Sequence, residues 1–409
     1  MKGGKPVLQE VGPFVYKAVT VKDSLDMDTG DPNMKFDSMG STITYRPRKF
    51  YYLVSGSADT TYITVPNIPF LTGLSSIRKL DEGMTKSLKS KVIMTTGFGK
   101  PFINVSFSGL LWGYNDELPC FSLARPDGCP PPEGEIDIFA EEDDEWGEDD
   151  WKRKKRSVED ELEQQDVDLR SLNFSLIEKK KGGFVDCKCE WGLFRDRNVT
   201  LRKPVTINHG MANLSMKGLL EKFNNSTTLG WWEEGSSCDK VGGQDGGTLP
   251  PVVDRFKEME LFVSLMCRKI NLQFEKMTTH SGLESYRFIP PPNALGSHTD
   301  QDPNTQNLAN SCYCQQSKGF SCFKSGVLNL EPCKTTPELP HGAPIALSFP
   351  HFYQADQSYL DAVEGMKPNK SLHQFYLDIE PTLGFPLAIR PRFQLNAIIR
   401  RDPHIEIMR

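Results

Sequence analysis

SCYCQQSKGFSCFKSGVLNLEPC, residues 311–333, holds four cysteines: Cys312, Cys314, Cys322 and Cys333. Cys238 and Cys267 lie upstream, so six of the chain's ten cysteines fall between residues 238 and 333. Such a set can ligate a metal or form disulfides. Cys312 and Cys314 are one residue apart, whereas zinc sites usually space paired cysteines by two or more. Sequons add a second signal. Asn104, Asn173, Asn198, Asn213, Asn224, Asn225 and Asn369 each stand two residues before Ser or Thr, with no proline between. Together the two features favour disulfides, no metal, and passage through an oxidising secretory compartment.

Composition narrows the class further. The chain has 409 residues, 38% hydrophobic and 25% charged, enough for one large core or two smaller ones. Its net charge of −6 argues against nucleic-acid partners, whose phosphates call for clustered cations. With 29 prolines and 33 glycines, many turns and short elements are expected. No apolar run reaches the roughly 18 residues a membrane helix needs. MKGGK at the start lacks the apolar stretch of a signal peptide. Both ends read as cuts through a longer protein.

Along the chain, residues 6–21 read as a strand with a Gly-Pro break. Residues 41–45 and 50–54 read as two strands around a turn, and Thr61–Val65 as another strand stopped by PNIP (66–69). In residues 71–92, Leu74, Ile77, Leu80, Met84, Leu88 and Val92 recur every three or four positions, which predicts one amphipathic helix or a pair interrupted at Gly83. Its polar side carries Lys86, Lys89 and Lys91. Residues 130–186 contain an acidic run, EEDDEWGEDD (141–150), beside a basic one, KRKKR (152–156), and read as a charged, largely disordered insert. Farther on, Phe375, Leu377 and Ile379 alternate, as do Phe385, Leu387 and Ile389, with PTLG between them. That predicts a hairpin, followed by a strand at 393–399.

No catalytic signature stands out: there is no G-x-S-x-G elbow, H-E-x-x-H pair or phosphate-cradling Gly loop, and no cofactor motif. His351, in Pro-His-Phe, reads as a packed or hydrogen-bonded structural histidine.

A series of segments carries a family resemblance. EVGPFVY (10–16), ITVPNIP (63–69), LLWGYND (110–116) and GLFRDRNVT (192–200) form its first half. YRFIPP (286–291), CYC (312–314), GVLNLEPC (326–333), ALSFPHF (346–352) and YLDIEPTLGFPL (376–387) complete it. In this order the chain resembles the ectodomain of the class B scavenger receptor family, and residues 130–186 fall outside the matching segments. The resemblance implies an α+β fold: an antiparallel β-barrel core with an apolar tunnel and a short-helix bundle at the apex. It implies one ectodomain over 1–409, with 71–92 as the apical helices and 238–333 as the disulfide-rich region.

The resemblance also implies pairing of Cys238 with Cys312, Cys267 with Cys333, and Cys314 with Cys322. Cys120 and Cys129 precede the insert and Cys187 and Cys189 follow it, so these four are expected to cross-link its ends. Arg153–Arg156 before Ser157 resembles a furin-type cleavage site in an exposed charged segment. Lys86, Lys89 and Lys91 are the candidate contacts for lipoprotein surfaces, phospholipid headgroups or fatty-acid carboxylates. The expected function is a non-enzymatic receptor at the cell surface or in an endolysosomal lumen that binds lipid-bearing ligands and passes lipid inward. The alternative is a luminal trafficking receptor that binds a lysosomal enzyme through the same helices. Family members carry a membrane helix at each end and this chain carries neither, so membrane anchoring is expected of the parent protein.

Overall fold

The computed structural model describes residues 5–27, 42–79, 100–115, 190–194, 202–316, 319–335 and 342–400. By compactness the chain divides into residues 1–124 with 189–409, and residues 125–188. All described residues belong to the first unit. The predicted insert at 130–186 lies outside them.

The described strands are, in the first half, β1 (Val15–Met27), β2 (Thr42–Ser55), β3 (Tyr62–Pro66), β4 (Phe102–Ser106), β5 (Tyr114–Asn115), β6 (Glu190–Trp191), β7 (Val205–Asn208) and β8 (Leu220–Phe223). In the second half they are β9 (Met259–Val263), β10 (Arg268–His280), β11 (Leu283–Ile289), β12 (Val327–Asn329), β13 (Ile345–Ser348), β14 (Tyr376–Ile379), β15 (Pro386–Arg390) and β16 (Gln394–Ala397). Among the described residues four α-helices accompany them: α1 (Ile68–Lys79), α2 (Phe107–Trp112), α3 (Gln357–Ala362) and α4 (Lys370–His373). The fold is mixed and mostly sheet.

Two antiparallel sheets dominate, ordered β1-β2-β7-β8 and β15-β14-β11-β10-β9. Gln244 joins them, bridging to Leu219 beside β8 and to Leu261 in β9. The joined strands curl as a half-barrel. Strand twist supplies part of the curl. Bulges at Asp23/Asp26, Thr206/Ile207, Phe274/Lys276 and Asp378/Ile379 supply more, because each bends its strand locally.

A third sheet, β12-β13-β16, packs against the larger system through the main core. Ile270 and Leu272 of β10, Phe288 of β11 and Leu377 and Ile379 of β14 meet Leu330, Leu347 and Phe349 there. All of these side chains are essentially excluded from solvent. Residues two apart on a strand share a face, so the alternation read at Leu377 and Ile379 is the core side of β14.

The structure corrects three local readings. Residues 42–55 form one strand, not two strands around a turn. The polar stretch Arg46–Lys49 stays extended because β1 pairs along it, Asp23 opposite Arg46 and Lys22 opposite Pro47. Pairing with β7 ends at Tyr45, so Pro47's missing N–H falls beyond that ladder. Residues 6–14 are not part of the first strand: β1 begins at Val15, and upstream Val7 makes only an isolated bridge to Glu364.

Helix α1 starts at Ile68, inside the PNIP segment read as a strand stop. Asn67 makes this possible, because its side-chain oxygen accepts from the Phe70 N–H and caps the first turn. The β14–β15 hairpin forms as predicted, with Leu377 opposite Ile389 and Gly384 at φ 74° in its turn. Phe385 and Ile389, however, are exposed: β15 is the edge strand, and its alternating residues do not reach the core.

Candidate functional site

The disulfide block lies beside the start of β10, with Cys267 in the turn just before that strand. The structure joins Cys238 to Cys312, Cys267 to Cys333 and Cys314 to Cys322, with Cα–Cα distances of 5.9, 6.3 and 5.2 Å. The first two bridges lie in the main core. Cys238–Cys312 ties the turn at 237–239 to the 3₁₀ turn Leu308–Tyr313, and Cys267–Cys333 ties the residue before β10 to the 3₁₀ turn Glu331–Cys333. Trp232 closes the block: its indole N–H donates to the Cys267 carbonyl at 2.7 Å, and its ring meets Tyr313 edge-on at 4.8 Å. Cys120, Cys129, Cys187 and Cys189 lie outside the described residues.

Five of the seven sequon asparagines are described, and each is exposed: Asn104, Asn213, Asn224, Asn225 and Asn369. Asn104 is on β4 and Asn224 and Asn225 form the turn after β8, both at positive φ. Asn213 and Asn369 each cap a helical turn. Their Oδ1 atoms accept from the backbone N–H and the hydroxyl two residues on. Asn173 and Asn198 lie outside the described residues.

The predicted ligand lysines belong to the chain beyond α1. Ile68, Phe70, Leu71 and Leu74 bury the start of that helix against Trp191, Ile345 and Ala397. Its base is therefore fixed to the β12-β13-β16 sheet. Lys86, Lys89 and Lys91 lie outside the described residues, as do Arg156 and Ser157.

Sequence reasoning missed the buried charges. Asp378, fully buried on β14, accepts from Arg287 Nε and Nη2 at 2.7 and 2.6 Å, and His280 Nε2 lies 2.6 Å from Oδ2. Burial alone would raise the Asp378 carboxyl, but the hydrogen bonds from Arg287 and His280 outweigh it and hold it below its ordinary value. Glu331, also buried, is gripped by Arg400 through two contacts of 2.7 Å and by the Asn329 amide at 3.0 Å. The local signal was a lone carboxylate between apolar residues, in YLDI and in NLEPC.

His351 and His373 stack at 4.4 Å, and each accepts a backbone N–H at Nδ1, from Lys367 and Asn369 respectively. Both are thereby held as structural imidazoles. Burial, then the neighbouring His351, lowers the His373 pKa. Among the described residues no three His, Cys, Asp or Glu side chains gather as a metal site. No described helix is long and apolar enough to cross a membrane.

A curled antiparallel sheet, core disulfides and a surface of exposed sequons define a disulfide-stapled domain of extracytoplasmic type. The chain belongs to the CD36 family, whose model matches residues 1–409. It is similar to Lysosome membrane protein 2 of Mus musculus, 28% identical over 417 residues that cover 99% of this chain and 67% of that protein. Lysosome membrane protein 2 of Homo sapiens gives the same identity and coverage. Scavenger receptor class B member 1 of Bos taurus is 23% identical over 401 residues, covering 98% of this chain and 62% of that protein. The chain thus spans about two thirds of the length of the relatives it matches.

Proposed function

We propose that this chain is the ligand-handling ectodomain of a membrane-anchored scavenger receptor that binds lipid or lipid-bearing particles and catalyses no reaction. The observation that carries this reading is the family match over the entire chain, with relatives that include a class B scavenger receptor. The half-barrel supports it, since a curled sheet is the wall from which a barrel with an apolar interior is built. In this proposal the barrel closes around a tunnel that carries acyl chains, each buried methylene contributing about 0.8 kcal/mol.

The proposal assigns capture to the segment after α1, where Lys86, Lys89 and Lys91 attract anionic headgroups or carboxylates. It assigns Cys120, Cys129, Cys187 and Cys189 to a clamp at the ends of the insert, with cleavage after Arg156. The parent protein presents the domain outside the plasma membrane or inside an endolysosomal lumen, placements that fit the names of its relatives.

The deciding experiment is mass-spectrometric lipid analysis of the glycosylated, full-length protein. Stoichiometric lipid that is lost when Lys86, Lys89 and Lys91 are all changed to Glu supports the reading. Protein free of lipid that retains a lysosomal hydrolase overturns it in favour of a trafficking receptor.

A further inference from the structure

Arg268, the first residue of β10, is only 6% exposed. Its hydrogen bonds go to three neutral oxygens: Nε to the Lys269 carbonyl at 3.0 Å, and Nη2 to Asn310 Oδ1 at 2.8 Å and the Ala294 carbonyl at 3.5 Å. Nη1 takes part in none of these, and no carboxylate among the described residues pairs with the guanidinium. Tyr313 lies flat against it, 3.7 Å from the ring centroid. Asp378 and Glu331, both at 0% exposure, show the contrast: each has its own arginine. Burial pushes the Arg268 pKa down and Tyr313 pulls it back, as expected of a guanidinium short of a counterion.

This cation borders open space. A cavity of about 320 Å³ is lined by Arg268 together with Ser237, Asn271, Asn293, Asn307 and Asn310. Glu258, Glu260 and Lys269 also line it. Lys269 pairs with Glu260 at 3.3 Å and Asn271 donates to Glu258 at 2.9 Å, so the acids have partners of their own. Both acids are exposed, where solvent screens them, whereas Arg268 is not. A buried charge without a partner is costly, and an incoming oxyanion relieves that cost. The amide and hydroxyl walls suit a small polar ligand better than an acyl chain.

We propose that the cavity beside Arg268 binds a small oxyanion, a carboxylate or phosphate group received by the guanidinium. None of its lining residues belongs to the capture segment assigned above, and its test does not depend on that segment.

The test uses the glycosylated chain with inorganic phosphate, acetate and octanoate as probes, each against chloride at constant ionic strength. A ligand that binds only the folded state raises the unfolding temperature in a saturable way. Phosphate or acetate is expected to do so. Ser237→Asp places a carboxylate at the cavity from an exposed position and is expected to weaken binding at least tenfold. Arg268→Lys keeps the charge but loses the fork, and is expected to abolish the phosphate effect. Octanoate binding more tightly than acetate identifies a lipid source for the oxyanion; equal binding identifies a polar one. The absence of saturable stabilisation by any probe overturns the proposal, as does an effect that Ser237→Asp leaves intact. The second outcome holds even if Arg268→Lys does not fold.

Discussion

Asp378 and Arg287 are direct cross-strand partners on β14 and β11, and the guanidinium grips the buried carboxylate through both Nε and Nη2. Both side chains lie on the face of the sheet opposite Leu377 and Phe288. The pair therefore fixes the register of the strands that form the main core, and a one-residue slip would turn Leu377 and Phe288 outward. Asp378→Asn keeps the shape but strands the arginine, at an expected cost of about 3 kcal/mol. Removing both charges with Arg287→Met and Asp378→Asn together is expected to recover most of that loss. Urea unfolding of the parent and the two variants measures it, and a double variant no better than the single one would refute the assignment. The depressed Asp378 carboxyl also sets a pH direction. Its contribution is present above the ordinary aspartate value of about 4 and is lost as pH falls below it.

The three disulfides differ in what they close. Cys267–Cys333 spans a sequence separation of 66 and Cys314–Cys322 one of 8. Chain entropy then predicts about 4 kcal/mol for the first and about 2.5 kcal/mol for the second. Replacing both cysteines of each bridge by serine tests this by denaturant unfolding. The longer bridge also lies in the core, so its loss is expected to cost more again through packing. Equal losses for the two pairs would contradict the model.

How far the sequence could be read depended on whether the cause was local. The β14–β15 hairpin was legible because apolar alternation and a Gly-containing turn lie within fifteen residues of each other. β2 was misread because Arg46-Pro-Arg-Lys49 looks like a turn until β1 lies beside it, where Arg48 reaches Asp23 at 2.7 Å. The charge on Asp378 was visible in YLDI, but nothing local marked it as buried. Its partners Arg287 and His280 lie 91 and 98 residues away, a distance no periodicity spans. Arg268 was invisible for a related reason: its burial depends on turns at Ala294 and Asn310 that pack over it. The disulfide pairing came from family resemblance, since spacing alone leaves fifteen connectivities open to six cysteines.

Asn369 has two separable roles. Its side chain caps α4 by accepting from the Ser371 and Leu372 N–H groups, and its amide begins a sequon. Asn369→Asp keeps an acceptor at the cap and removes the glycan site, so stability is expected to change little beyond the effect of the glycan. Ser371→Ala removes the sequon and leaves the asparagine cap. Asn369→Ala removes both functions and is expected to cost about 1 kcal/mol more than Asn369→Asp. Intact mass measures glycan occupancy and thermal unfolding measures the cap. Equal stability of the Asp and Ala variants would show that the cap contributes nothing.

His373 makes stability depend on pH in the range that separates a cell surface from an acidic lumen. Its folded-state pKa is lowered by burial and by His351; Arg392 lowers it too, and Glu10 opposes the shift. The unfolded chain, with an ordinary histidine pKa near 6.5, therefore binds the proton more readily than the fold does. Stability from this group is complete above about pH 6.5 and is lost as pH falls through that value toward the folded-state pKa. The geometry agrees, since protonation at Nδ1 would break the 2.9 Å bond from the Asn369 N–H at the start of α4. His373→Gln removes the titration. The variant's unfolding free energy is expected to vary less than the parent's between about pH 7 and pH 5. Parallel curves for the two proteins over that range would rule out His373 as the source of the slope.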